Sequence, residues 1–274
     1  MLNRSLLLDG VSEIFIVTAR ITLVTFLISL YCFKEFYSEL NLSFFIKGCL
    51  TGFLAIFIPG WTFIYALKNI SSGLQSIFIS TIPLFTVFWV LLFFKEEKIT
   101  RIKLISVLIG LIGLVILFFS GETGLSKEGD LITGGLLALV GVQGLALSNI
   151  TNKKHLKYIP GKTYLLTQWL FGAGLSIILF FTLGGEIEIL SLSESLKLTG
   201  LAFIDIFNYS LFLYTIKRFS ATFTTLVDYI VPIVGILMGY IFLNEVISNV
   251  FFVTLLLIFI SLYLAVKDES NSLS

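Results

Sequence analysis

The sequence predicts an all-α integral membrane protein of nine transmembrane helices built from an internal repeat. Three observations carry this. Of 274 residues, 57% are hydrophobic and only 13% charged, with a mean hydropathy of +1.02. A soluble domain carries roughly 25% charged residues, so this chain has too little polar surface to cover its apolar surface in water. Nine apolar runs reach the length that spans a bilayer core about 30 Å thick, roughly 20 helical residues. Finally, the chain repeats itself with an offset of 149 residues.

In chain order the spans fall at 12–33, 48–66, 72–94, 102–120, 131–150, 163–183, 197–215, 221–243 and 249–266. Their connections are short and polar, as in KEEKITR at 95–101 and TNKKHLKYIPGK at 151–162. A transmembrane β-barrel would instead alternate apolar and polar residues in roughly ten-residue segments. The continuous apolar run from Leu104 to Phe119 excludes that pattern.

Lysine and arginine sort by side. Alternate connections and the C-terminal tail hold thirteen of the 18 basic residues, and the opposite side holds Arg4, Lys68, Lys127 and Lys197. Arg20 lies inside the first span. Basic loops stay cytoplasmic, so the C-terminus is expected in the cytoplasm of a multi-pass inner-membrane protein. The net charge of +1 argues against a nucleic-acid partner. Cys32 and Cys49 sit in apolar runs and form no CxxC motif.

The repeat sets FIYALKNISSGLQSIFISTIPLFTVFWVLLFFKEE at 63–97 against FLYTIKRFSATFTTLVDYIVPIVGILMGYIFLNEV at 212–246. Lys68, Ser71, Pro83 and Glu96 match Lys217, Ser220, Pro232 and Glu245, with proline and glutamate thirteen residues apart in both copies. Lys68 falls in an external connection and Lys217 in a cytoplasmic one, so the copies are inverted, an arrangement usual in secondary transporters. Residues 1–120 form the first repeat and 131–267 the second. The second holds five helices and the first four. Subtracting the offset places the partner of helix 131–150 before Met1, so one helix of the first repeat is expected to be missing.

On TARITLVTF around Arg20, GLIGLVILF at 110–118, and the two repeat blocks with their Pro–Glu spacing, the chain resembles the drug/metabolite transporter superfamily, EamA-type branch. The resemblance implies ten short helices in a 5+5 inverted repeat, and transport of amino acids, other metabolites or drugs across the cytoplasmic membrane without ATP. It also implies that the absent first helix would help line a central cavity.

Ionisable groups within spans suggest function. Arg20 is placed to attract an anionic substrate group, to pair with a carboxylate, or to clamp a neighbouring helix. Asp205 is placed to bind a cationic group, to take a coupling proton, or to bond between helices. Asn208 and Tyr209 share its helix face at i+3 and i+4. Asp228 and Tyr229 precede Pro232, whose missing N–H frees a carbonyl one turn back. Pro83 and Pro232 are expected to kink their helices. Weaker substrate candidates are Ser76, Ser80, Trp61 and Gln143, together with Gln168 and Trp169; such residues also glue helices together. Glu96 and Glu245 are expected to cap or salt-bridge near the membrane surface. The glycines at 110, 113, 134, 135, 141 and 144 are expected to let helices pack closely. His155, the single histidine, is expected to be solvated. No phosphate-binding loop, GxSxG or HExxH motif occurs. The expected partners are therefore lipid, a small-molecule substrate and a coupling proton, with no cofactor, no metal and no enzymatic activity.

Overall fold

A computed structural model describes residues 1–39, 41–93, 100–126, 129–218 and 231–273. Every regular element among them is helical: α1 (Leu2–Leu8), α2 (Glu13–Glu39), α3 (Leu42–Ala66), α4 (Ser72–Ile79), α5 (Ile82–Phe93), α6 (Arg101–Ser120), α7 (Leu131–His155), α8 (Gly161–Thr182), α9 (Leu192–Arg218), α10 (Val231–Leu243) and α11 (Asn249–Leu273). Among the described residues six apolar stretches are long enough to cross a membrane, and three shorter apolar helices lie at Leu104–Ser120, Val231–Leu243 and Asn249–Leu264. The chain is a multi-span helical membrane protein.

Local chemistry sets the helix ends. Asn41, Ser71 and Asp130 stand before α3, α4 and α7, and their side chains accept from the backbone N–H groups of Phe44, Leu74 and Ile132. At α9, Ser191 and Glu194 form a reciprocal capping box. At the end of α8, Gly184 adopts φ +70° and Gly185 donates to the Phe180 carbonyl at 2.8 Å, a glycine-terminated helix end. Asn244 takes the same left-handed role after α10, with φ 51°.

Three expected spans differ in form. The span expected at 48–66 begins at Leu42 and contains a π-helical turn at Phe53–Phe57. Pro59 follows this turn, and the widened turn accommodates a residue that cannot donate to the carbonyl four positions back. The span expected at 72–94 is two helices, α4 and α5, interrupted at Ser80–Thr81. Pro83 sits in the first turn of α5, where a missing N–H costs nothing. The span expected at 221–243 is described only from Val231, with Pro232 in the first turn of α10. Residues 221–230 lie outside the described residues. Also unforeseen is α1, a seven-residue helix with Leu6 buried.

The chain divides into two compact units, and each draws on both halves of the sequence. One comprises Leu2–Ile64 and Thr151–Ala221. In it α2 packs on α8 and α9, α3 packs on α8, and α1 packs on α9. Small residues bring α3 against α8: a β-carbon on Gly52 would lie 2.4 Å from the Gln168 carbonyl oxygen, and one on Gly48 would lie 2.5 Å from Thr167.

The other unit comprises Tyr65–Ile150 and Thr222–Ser274, with Met1. In it α6 pairs with α11 along a stripe of small residues. Ser261 Oγ donates to the Ser106 carbonyl at 2.6 Å, and a β-carbon on Gly113 would lie 3.2 Å from Leu257. Gly110 similarly meets Leu84 and Ser261. The α4–α10 crossing is tighter still, with Ser72, Gly73 and Ser76 on one helix against Gly235 and Gly239 on the other.

Candidate substrate site

The first compact unit holds a pair of opposite charges within its membrane-spanning helices. Arg20, on α2, and Asp205, on α9, place Nε and Oδ2 3.2 Å apart. Their side chains are 17% and 26% exposed, while the two facing atoms, Arg20 Nε and Asp205 Oδ2, are buried. The two atoms lie within ion-pair reach but are not aligned as a hydrogen bond, and neither has another hydrogen-bond partner. The pair satisfies the requirement that charges at membrane depth be matched.

One turn beyond Asp205, Tyr209 donates its hydroxyl to Gln168 Oε1 on α8. Gln168 Nε2 in turn donates to Asn152 Oδ1 at 3.3 Å, in the last turn of α7. The Trp169 ring stands edge-on to Tyr209 with centroids 5.9 Å apart. Trp169 is 4% exposed, and its indole N–H finds no acceptor. Asn208 faces outward and is exposed. Of the three residues expected to share a face, Asp205 and Tyr209 thus meet partners on neighbouring helices, and Asn208 has no such contact.

The same two helices carry a second polar ladder, one not expected from the sequence. Tyr164, fully buried on α8, donates its hydroxyl to Thr51 Oγ1 at 2.8 Å, and Thr51 donates to the Lys47 carbonyl at 3.0 Å. The remaining Tyr164 lone pair faces His155 Nδ1 at 3.2 Å. His155 was expected to be solvated; it is half-buried and bonded to Tyr164 instead. The signal was present in the sequence. Asn152 and His155 stand one turn apart on α7, Tyr164 and Gln168 one turn apart on α8, and the short connection 156–160 folds them together.

Among the weaker candidates, Trp61 donates its indole N–H to Ser176 Oγ at 3.0 Å within the same unit. In the other unit, Gln143 accepts from the Trp89 indole at 2.6 Å. Ser76 and Ser80 are buried and donate to the Gly73 and Ile77 carbonyls, and Ser76 Oγ also reaches the Pro232 carbonyl of α10 at 3.5 Å. Asp228, Tyr229 and Glu96 lie outside the described residues. Glu245 caps a helix as expected. Its Oε1 accepts from Ser72 N at 2.7 Å, and its Oε2 accepts from Ser72 Oγ and Gly73 N at 3.0 Å each, at the N-terminus of α4. Among the described residues no group of three histidine, cysteine or carboxylate side chains is placed to hold a metal.

Comparison with known proteins agrees with this architecture. A curated protein of Clostridium kluyveri, named an uncharacterized transporter, is 28% identical over 200 residues, which is 72% of this chain and 64% of that protein's length. The match thus spans less than two thirds of that relative. A solved crystal structure superposes with a TM-score of 0.63 at 18% identity, covering 96% of this chain and 93% of the other, and so shares the fold. The model of the EamA-like transporter family matches residues 3–119 and again residues 132–267. With nearly its whole length matched, the chain belongs to the EamA-like transporter family.

Proposed function

We propose that the chain is a secondary carrier that moves a small metabolite, an amino acid or a drug-like compound, across the cytoplasmic membrane by alternating access. The observation that carries this reading is the Arg20–Asp205 pair, two opposite charges within membrane-spanning helices. Maintaining such a pair in lipid is expensive, and structural needs alone are met more cheaply by neutral contacts such as the Trp61 indole on the Ser176 hydroxyl. In this reading Arg20 and Asp205 contact the substrate, Tyr209 and Gln168 orient Asp205's helix, and Asp205 carries the coupling proton. Residues 1–120 and 131–267 act as the two inverted repeats, which exchange outward-open and inward-open shapes. The basic residues place the C-terminus in the cytoplasm.

Reconstitution tests this. Proteoliposomes loaded with a total cytosolic metabolite extract are expected to take up labelled solutes from a matched panel of amino acids and nucleosides by counterflow. Arg20→Gln should lose that exchange, and Asp205→Asn should exchange without dependence on pH. Exchange at the parent rate in both variants would remove the pair from the mechanism, and no exchange by the parent protein would remove the carrier. Cysteines at Lys68 and Lys217 should label from opposite faces of the membrane; labelling from one face would break the inverted repeat.

A further inference from the structure

We infer that Arg20 is an anion-binding group held shut by Asp205, and that one proton taken up by Asp205 opens it, so that an anionic substrate group and a proton bind together. This rests on the carrier reading above and adds the charge of the substrate and the direction of coupling.

In the structure the positive charge of Arg20 is already matched, with Asp205 Oδ2 3.2 Å away. An anion reaching Arg20 must displace that carboxylate, and the displaced charge then repels the anion. Protonation of Asp205 Oδ2, forming one O–H bond with a proton from the aqueous phase, removes the repulsion. The site remains neutral overall: guanidinium, carboxylic acid and anion. The surroundings favour an oxygen-rich ligand. Arg20 Nε makes no aligned hydrogen bond, and the buried Trp169 indole N–H has no acceptor. Both are donors, and Trp169 stands against Tyr209, one turn from Asp205.

Other titratable groups do not substitute for Asp205. From α2, Arg20 is the charged residue within reach. α1 carries Arg4, and Asp9, just after α1, is paired with Lys197, two turns before Asp205 on α9. On α9 itself Tyr209 is committed to Gln168. From α8, Tyr164 is committed to Thr51.

The test uses purified full-length protein and equilibrium dialysis of radiolabelled benzoate, glutamate and sulfate, anions that stay predominantly ionised across the range used. Between about pH 8 and about pH 5, at least one is expected to bind about tenfold more tightly for each unit of pH lowered, until Asp205 is fully protonated. Asp205→Asn should bind that anion at every pH with the affinity the parent reaches at its acid plateau. Arg20→Gln should not bind it, and Arg20→Lys, which keeps the charge, should retain the pH slope. Binding in the parent that is flat or strengthens with pH overturns the inference. So does an unchanged slope in Asp205→Asn, or no binding of any of the three at about pH 5. Counterflow of a neutral or cationic solute in the same preparation would then leave the carrier standing without this mechanism.

Discussion

Glu245 is the most exacting place to test the packing of the second unit. It lies just past α10, is 7% exposed, and accepts from two backbone N–H groups and one hydroxyl at the N-terminus of α4. Glu245→Ala leaves the N–H groups of Ser72 and Gly73 buried without an acceptor. At roughly 1–3 kcal/mol for each stranded group, the loss is about 3–4 kcal/mol. The lost interaction with the helix dipole overlaps these bonds and is not added. The Ser72 hydroxyl rotates to another acceptor and contributes little. Glu245→Gln keeps one acceptor oxygen but turns an NH₂ group toward a donor, so about half the loss is expected. Followed by tryptophan fluorescence during heating in detergent, roughly 2–4 °C per kcal/mol gives a fall of about 10 °C for the alanine variant. A melting point within about 2 °C of the parent would show that water or a rearranged loop satisfies α4, and the capping account would fail.

Three further outcomes are expected. Gly239→Ala puts a methyl group 2.0 Å from Glu245 Oε2, and Gly235→Ala puts one 2.4 Å from Ser76 Oγ; each should cost about 1–3 kcal/mol in the same melting assay, and parent-like melting of Gly235→Ala would refute the close crossing of α4 and α10. Tyr164→Phe removes the hydroxyl that joins His155 to Thr51; about 1 kcal/mol of stability should be lost, together with the dependence of the His155 ring resonances on Thr51→Val. Asp130 lies outside the spans, and the Thr133 hydroxyl, followed by the backbone N–H groups of Thr133 and Ile132, holds its carboxyl below the usual range. A lowered native value stabilises the fold above the unfolded value and loses that stability as pH falls through the native one. Parent stability should therefore decline in acid relative to Asp130→Asn, and parallel acid profiles would refute the cap.

Composition and hydropathy alone set the class of this protein and most of its helices. Too few charges for so much apolar surface leave lipid as the only solvent, and in lipid a backbone must satisfy itself by helix formation. The repeated proline–glutamate spacing marked Glu245 as a helix-end residue, and the Gly110–Gly113 pair marked a close helix contact. What periodicity did not reveal was where a helix yields. The π turn before Pro59 and the break at Ser80–Thr81 depend on the helix packed alongside, since an apolar run reads alike whether straight or interrupted.

Pairing was the work of tertiary structure alone. Arg20 and Asp205 are 185 positions apart, and no local pattern says which carboxylate a membrane arginine will meet. The fold also decided that His155 is tied to Tyr164, that Ser76 meets α10, and that the compact units cut across both sequence repeats. The physical reason is common to all of these. Hydropathy is a property each residue brings with it, whereas the partner of a buried polar group depends on which other helix arrives at the same depth.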